Sequence, residues 1–232
     1  LITLATGIVL CLIVDAILPR AAGRIVQGLS VTTLVLALLV TAVQWRDLGL
    51  QTEHGWFVFD LPSLFLSCLV LITGLFTLFN AESFFKFHAQ SISEVCVIVL
   101  FATLGAITLF SSEHLLVNFL GLETMSLALT VLAGSQKKNF KSNEAALKSL
   151  IINGTSSAVF LFGIALFYAA YGTLQLNVMT SLVTPAGLDY LPRLALGLIL
   201  ASLFTKLALV PFHAWAADVH DVHPIVAEDL VK

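Results

Sequence analysis

Charged side chains are scarce in this chain of 232 residues. Asp, Glu, Lys and Arg make up only 11% of it, whereas soluble domains carry about 25%. Hydrophobic residues make up 59%, and the mean hydropathy is +1.01. This composition excludes an ordinary soluble domain and indicates an integral membrane protein. The few basic residues form no patch, so we expect no nucleic-acid partner.

Motifs for redox cofactors and metals are also missing from the sequence. The three cysteines, Cys11, Cys68 and Cys96, lie in apolar runs without CxxC spacing, so they are predicted to be packing residues. There is no Gly-rich dinucleotide motif, no cysteine cluster for an iron–sulfur centre and no haem signature. We therefore expect this chain to hold no cofactor and no metal, and to perform no redox chemistry itself.

Long apolar runs are abundant. A spanning helix needs about 20 predominantly apolar residues, and by that measure the sequence predicts an all-α integral membrane fold of about seven transmembrane helices in a single polytopic domain. The predicted spans lie near residues 1–18, 26–45, 61–80, 93–111, 113–134, 144–171 and 192–215. The chain opens inside an apolar run, without an initiator methionine, so we expect it to be a fragment of a longer protein.

Basic residues between the spans predict the orientation. One set of alternate loops holds Arg20, Arg24, Lys86, Lys137, Lys138 and Lys141. The opposite loops hold Arg46 and Arg193. The more basic side is expected to be cytoplasmic, which places the N-terminus outside.

Glu123 is the first of the ionisable residues predicted to lie inside the membrane. It is about eleven residues from either end of the fifth span, or roughly 16 Å deep at 1.5 Å per residue. An ionised carboxylate at that depth requires water or a cationic partner and otherwise becomes neutral. A group that changes state with its partner can bind and release a proton. The alternative is a static buried pair that fixes helix packing.

Lys148 follows Glu144 by one helical turn, so the two side chains share a face and are predicted to pair. Lys148 also lies near the start of the sixth span. Its side chain is therefore long enough to reach the cytoplasmic interface without any role in transport. Both interpretations stay open at the level of sequence.

Lys206 lies within the apolar run 194–213 of the seventh span. An ammonium in hydrocarbon costs about 2.5 to 3.5 kcal/mol on insertion scales, so such a lysine normally faces protein or a wet cavity. Pro211 removes a backbone donor five residues later and predicts a break in the helix there. Broken helices at membrane depth line cavities or are buried in protein.

His213 follows the predicted break by two residues and is a candidate proton relay, because histidine titrates near neutral pH. The alternative is a neutral histidine at the interface. We also predict that a charge change at Glu123 alters the protonation of Lys206. Two unit charges about 8 Å apart interact by roughly 2 kcal/mol at an effective dielectric constant of 20.

Three motifs in this sequence resemble one protein family. They are Gly121-Leu-Glu-Thr-Met-Ser-Leu127, Asn143-Glu-Ala-Ala-Leu-Lys148 and Phe204-Thr-Lys-Leu-Ala-Leu-Val-Pro-Phe-His-Ala-Trp-Ala-Ala-Asp-Val219. Together they resemble the antiporter-like, proton-pumping subunits of respiratory complex I, within the Mrp antiporter superfamily. Inside that family the resemblance is strongest to the N subunits of NADH-quinone oxidoreductases.

This resemblance implies a fold and a function. The family fold has two inverted five-helix repeats, and this chain would contain the first of them. Glu123, Lys148 and Lys206 would be the charged residues of the fifth, sixth and seventh helices through which protons pass. NADH, FMN, iron–sulfur clusters and quinone would be bound by partner subunits of the complex, in a bacterial inner membrane.

Two other functions stay open from the sequence. A secondary cation/proton antiporter subunit of the Mrp type, without a redox partner, would carry the same charges. A scaffold subunit would use its buried ion pairs only to fix the register of its helices.

Overall fold

The computed structural model describes residues 1–18, 22–46, 56–86, 92–135, 140–178 and 190–216. The named helices are α1 (Ile2–Ile17), α2 (Ala22–Arg46), α3 (Leu61–Lys86), α4 (Ile92–Phe110), α5 (Leu115–Ala133), α6 (Phe140–Tyr171) and α7 (Tyr190–Lys206). In this described part of the chain, β structure is limited to isolated bridges. The predicted all-α fold class is therefore confirmed.

Within the described residues, five helices are long and apolar enough to cross a membrane. These segments are Gly23–Arg46, Leu61–Asn80, Ile92–Phe110, Leu115–Ala133 and Ser142–Tyr171. Helices α1 and α7 have 16 and 17 residues, fewer than the roughly 20 that a perpendicular span requires. The predicted count of seven spans is thus not confirmed and stays a prediction.

The chain divides into two compact units. Unit 1 comprises Leu1–Leu129 with Gln175–Asn177, and unit 2 comprises Thr130–Leu174 with Val178–Lys232. Glu123 belongs to unit 1, whereas Lys148 and Lys206 belong to unit 2. The sequence-based assignment of a single polytopic domain stays a prediction.

Unit 1 is built around α2 and α4, which contact each other and also pack against α1 and α3. Large apolar side chains fill this core, and Leu34, Leu71 and Leu100 are completely buried. The outward side of α3 is apolar as well, with Ile72, Phe76 and others exposed. Exposed apolar residues at helical spacing are typical of a surface that faces lipid.

Asp60 determines where α3 begins. Its Oδ1 accepts a hydrogen bond of 3.0 Å from the backbone N–H of Ser63, the third residue of the helix. This is the N-cap arrangement that satisfies one of the free amides of a first turn. A short polar side chain thus fixes the residue at which α3 begins.

In unit 2, α6 and α7 pack against each other. A Cβ atom added to Gly163 would lie 2.7 Å from Ile199 Cγ1 and 3.0 Å from the carbonyl oxygen of Ala195. Only glycine permits this approach, because small residues let the backbones of membrane helices come close together. The packing positions α7, and with it Lys206, against α6.

Candidate functional site

Glu123 lies on α5 and is partly buried. Two residues before it, Gly121 meets α4: an added Cβ would lie 2.7 Å from the backbone nitrogen of Leu109 and 2.8 Å from the carbonyl oxygen of Gly105. The helices approach each other as closely at Gly105, where an added Cβ would lie 2.6 Å from the backbone nitrogen of Met125. The glycines therefore bring the backbones of α4 and α5 into contact one half-turn from the carboxylate and fix its position on the bundle.

Lys148 pairs with Glu144 as the spacing predicted. Lys148 Nζ lies 3.1 Å from Glu144 Oε1 on α6, and the two side chains are 44% and 46% exposed. Because α6 begins at Phe140, the pair lies one to two turns inside the helix. Exposed ion pairs of this type contribute only about 0.3 to 0.5 kcal/mol to stability, so the pair does not lock the lysine in place.

Lys206 is the last residue of α7. The helix ends in a Schellman motif: the N–H of Ala208 donates to the carbonyl of Thr205 at 3.2 Å, and the N–H of Leu209 donates to that of Phe204 at 2.9 Å. Ala208 has the left-handed conformation that this motif requires, with φ of 51°. The ammonium of Lys206 therefore belongs to the last turn, where the helix dipole favours a positive charge.

The chain is interrupted around Pro211, and the interruption begins before the proline. Pro211 was expected to interrupt the helix by removing a donor from the carbonyl of Leu207, yet α7 already ends at Lys206. Residues 207–213 form turns, and residues 214–216 are helical again. The span over residues 192–215 with a break near Pro211 stays a prediction. The Schellman hydrogen bonds end the helix first, and Pro211 lies in the turns that follow.

Trp215 closes these turns against the end of the helix. Its Nε1 donates a hydrogen bond of 2.9 Å to the carbonyl of Thr205, which also accepts the Schellman bond from Ala208. His213 lies in the same segment and is exposed. Its role as a relay stays a prediction.

A pair of serines fastens α6 to α7 one turn before Lys206. Ser202 Oγ donates to the carbonyl of Ser156 at 2.8 Å, and Ser156 Oγ donates to the carbonyl of Ser202 at 2.9 Å. The two hydroxyl oxygens are 2.9 Å apart. Both residues are buried, at 4% exposure for Ser156 and 1% for Ser202. We call this reciprocal arrangement the serine clamp.

A second buried polar group joins the end of α5 to α6. Asn153 Nδ2 donates to Ser149 Oγ at 3.1 Å and to Thr130 Oγ1 at 3.3 Å, and these two hydroxyls are 3.3 Å apart. Ser157 donates to the carbonyl of Asn153. Polar side chains therefore follow one face of α6 from the residue next to Lys148 to the serine clamp.

Sequence reasoning missed both polar groups. A usable signal was present, because Ser149, Asn153 and Ser156 recur at the spacing of a single helical face. The partner residues on α5 and α7 carry no comparable signal, since their pairing depends on the tertiary register.

A cleft of about 280 Å³ lies next to the break, entirely within unit 2. Thr155, Ser156 and Val159 of α6 line one side, Ser202 and Thr205 line the other, and Phe212 also borders it. Thr205 directly precedes Lys206. The lining is mostly apolar, and the hydroxyls of Ser156, Ser202 and Thr205 that border the cleft already donate to backbone carbonyls.

Comparison with known proteins shows which protein family this chain is similar to. Residues 112–231 match the family described as NADH:quinone oxidoreductase/Mrp antiporter, TM. The chain is 32% identical to the NAD(P)H-quinone oxidoreductase subunit 2 of Mesostigma viride chloroplasts, over 95% of this chain and 46% of that protein. It is 33% identical to NADH-quinone oxidoreductase subunit N 2 of Rhizobium meliloti, over 96% of this chain and 46% of the relative.

A solved structure is similar over the same extent. A chain in the structure of respiratory complex I from Thermus thermophilus with bound aureothin is 34% identical, with a TM-score of 0.76, over 94% of this chain and 46% of that chain. The chain thus spans slightly less than half the length of each of these relatives. Residues 112–231, which match the family description, include both the serine clamp and the break after α7.

Proposed function

Because this chain belongs to the NADH:quinone oxidoreductase/Mrp antiporter family of membrane proteins, we propose that it is part of a proton-translocating membrane subunit of an NADH-quinone oxidoreductase. Relatives of that name match nearly all of its length. The observation that carries the proposal is the position of Lys206. It is a cationic side chain at the end of a helix that stops within an apolar segment and is followed by irregular backbone.

The proposed activity couples electron transfer from NADH to quinone with proton movement across the membrane. Within it, Lys206 is the central proton-binding group, Glu123 controls its charge state, and Lys148 and His213 pass protons to and from it. Pro211 lacks a backbone N–H and lies in the turns of residues 207–213, which separate α7 from the helical residues 214–216. The Schellman end of α7 supports this assignment, because it leaves Lys206 next to irregular backbone.

Partner subunits supply the remaining chemistry in this proposal. NADH, FMN, iron–sulfur clusters and quinone belong to them, and this chain contacts other membrane subunits of the complex, lipid and protons. The proposed location is a bacterial inner membrane with the N-terminus outside. The basic loop residues of the sequence support that orientation.

The test uses the intact oxidoreductase in membrane vesicles and measures proton uptake and quinone reduction separately. Lys206→Ala is expected to lower the protons moved per NADH by tenfold or more, because a positioned proton-transfer group contributes roughly 10² to 10⁴ in rate. Lys206→Arg is expected to be equally defective, since arginine keeps its charge and does not release a proton. Arg46→Ala is the matched control: Arg46 also lies in the last turn of its helix and is exposed.

Normal pumping by Lys206→Arg together with loss in Lys206→Ala would contradict the proposal and favour a scaffold, for which the charge alone is sufficient. The family description also names Mrp antiporters. Vesicles that exchange protons for cations without NADH would favour that second function, and the same variants identify its proton-binding lysine.

A further inference from the structure

Three buried polar atoms lie close together in the sequence of the α4–α5 corner, defined here as residues 111–114, and in the first turn of α5. They are Ser111 Oγ, His114 Nδ1 and Asn118 Oδ1, and none of them has a hydrogen-bond partner among the described residues. Ser111 is only 1% exposed. Buried polar groups almost always have hydrogen-bond partners, so three unpaired polar atoms at one corner require an explanation.

Hydrogen bonds fix the backbone of this corner, so a loosely held backbone does not explain the three unpaired atoms. The N–H of Val58 donates to the carbonyl of Ser111 at 2.8 Å, and the N–H of His114 donates to Ser112 Oγ at 3.0 Å. Ser112 Oγ in turn donates to the carbonyl of Trp56 at 2.9 Å. The rings of Trp56 and His114 are 4.9 Å apart between centroids. The surroundings are fixed while three side-chain atoms stay unpaired.

Water fits these three atoms. A hydroxyl can donate or accept, an imidazole nitrogen can do either according to its protonation, and an amide oxygen accepts. A buried water molecule typically makes about three hydrogen bonds to protein groups that have no other partner. No carboxylate or thiolate is among the three atoms, so a divalent metal ion fits them poorly.

We propose that ordered water molecules occupy the α4–α5 corner and that His114 uses them to exchange protons between the outer face and α5, the helix that carries Glu123. The inference rests on the proposed function. His114 is suited to the role because its Nδ1 is buried at the corner while the residue as a whole is partly exposed. Among the residues that the structure describes, the other titratable side chains around the corner are those of Glu113 and of Asp60, whose carboxylate caps α3.

The placement along α5 supports this route. Asn118 lies one turn after His114, and its N–H donates to the carbonyl of His114 at 3.0 Å. Glu123 follows after five more residues, so His114 and Glu123 are about 13 Å apart along the helix axis. The positive-inside rule predicts that this end of α5 faces outward, opposite the loops that carry most basic residues.

The first experiment needs no variant. Electron cryomicroscopy of the intact wild-type oxidoreductase, at a resolution that shows water, is expected to reveal density about 2.7 to 3.2 Å from Ser111 Oγ and His114 Nδ1. A dry corner, or one in which a side chain of the rest of the complex satisfies these atoms, would overturn the inference.

The second experiment measures protons moved per NADH in vesicles of the His114→Gln and Ser111→Ala variants. Each is expected to lower this ratio by about fivefold, the rate factor that corresponds to one lost hydrogen bond. Thr108→Val is the matched control, because Thr108 lies one turn before Ser111 on α4 and its hydroxyl donates within its own helix to Leu104. The control is expected to pump normally.

The outcomes separate this inference from the proposed function. If Lys206→Ala abolishes pumping while His114→Gln pumps like Thr108→Val, the relay at the corner is refuted and the proposed function stands. If Lys206→Ala has no effect, the proposed function fails and the relay role fails with it, whereas water density would still confirm the hydrated corner. If His114→Gln does not assemble, the wild-type density alone decides whether the site is hydrated.

Discussion

Gly121 gives the sharpest test of how α5 is positioned. In Gly121→Ala the new Cβ would lie 2.7 Å from the nitrogen of Leu109 and 2.8 Å from the oxygen of Gly105, where ordinary contact begins at 3.4 Å. Both obstacles are backbone atoms, so no side-chain rotation relieves them. The two helices must separate by several tenths of an ångström over the turn that carries Glu123.

The expected cost follows from that overlap. Overpacking of a well-packed site costs about 1 to 3 kcal/mol, and it is opposed by the higher helix propensity of alanine, about 1 kcal/mol in water. Gly121→Ala is therefore expected to destabilise the subunit by up to about 2 kcal/mol. The same displacement moves Glu123, so proton pumping per NADH should fall together with stability.

The matched control is Gly28→Ala. Gly28 lies inside α2, and an added Cβ would meet no atom within 4 Å in the described structure. It carries the same change in helix propensity without the overlap. The assay compares thermal denaturation of the purified oxidoreductase, the amount of assembled complex and the pumping ratio. Equal stability and equal pumping in the two variants would refute the argument that Gly121 sets the contact between α4 and α5.

Two further predictions concern α7. Ser202→Ala removes the hydroxyl that donates to the carbonyl of Ser156 and is expected to destabilise the subunit by about 0.6 kcal/mol, the average for such bonds in membrane proteins. Thermal denaturation checks this, and a Ser202→Ala variant as stable as the wild type would contradict it. Ala208→Gly should leave the stability unchanged or raise it slightly, because glycine adopts the left-handed conformation freely. Ala208→Val should lower the stability by more than about 1 kcal/mol, because a branched side chain is strained in that conformation. Equal denaturation temperatures for the two variants would show that the Schellman end of α7 is absent.

Hydropathy predicted the long helices α2 to α6 because a run of about 20 apolar residues is a local property of the chain. The largest difference is at the end of α3, which continues past the apolar run to Lys86. The residue at which α7 ends was not predicted, because the left-handed residue of a Schellman motif is usually glycine, and here it is Ala208. Pro211 was the stronger local signal, although it lies outside the helix.

The family and the pairing of Lys148 with Glu144 were predicted from short motifs, and both are confirmed. The serine clamp and the orphan atoms around His114 were not predicted. Both depend on which faces of different helices meet, and the hydropathy of a helix that is apolar on all sides carries no such information. The transport roles of Glu123, Lys148, Lys206 and His213 stay predictions that the proposed variants test.

The serine clamp also restricts how this part of the molecule can move. Each of its hydroxyls is bonded to the backbone of the opposite helix, and the residues one turn away, Ile152 on α6 and Leu198 on α7, have no hydroxyl to replace them. A ratchet that brought Ile152 or Leu198 into the place of a clamp serine would break the clamp without forming an equivalent one. In a transport cycle α6 and α7 should therefore travel as one rigid body, and Lys206 should change its access by rotation of its side chain or by hinge motion in the segment after it.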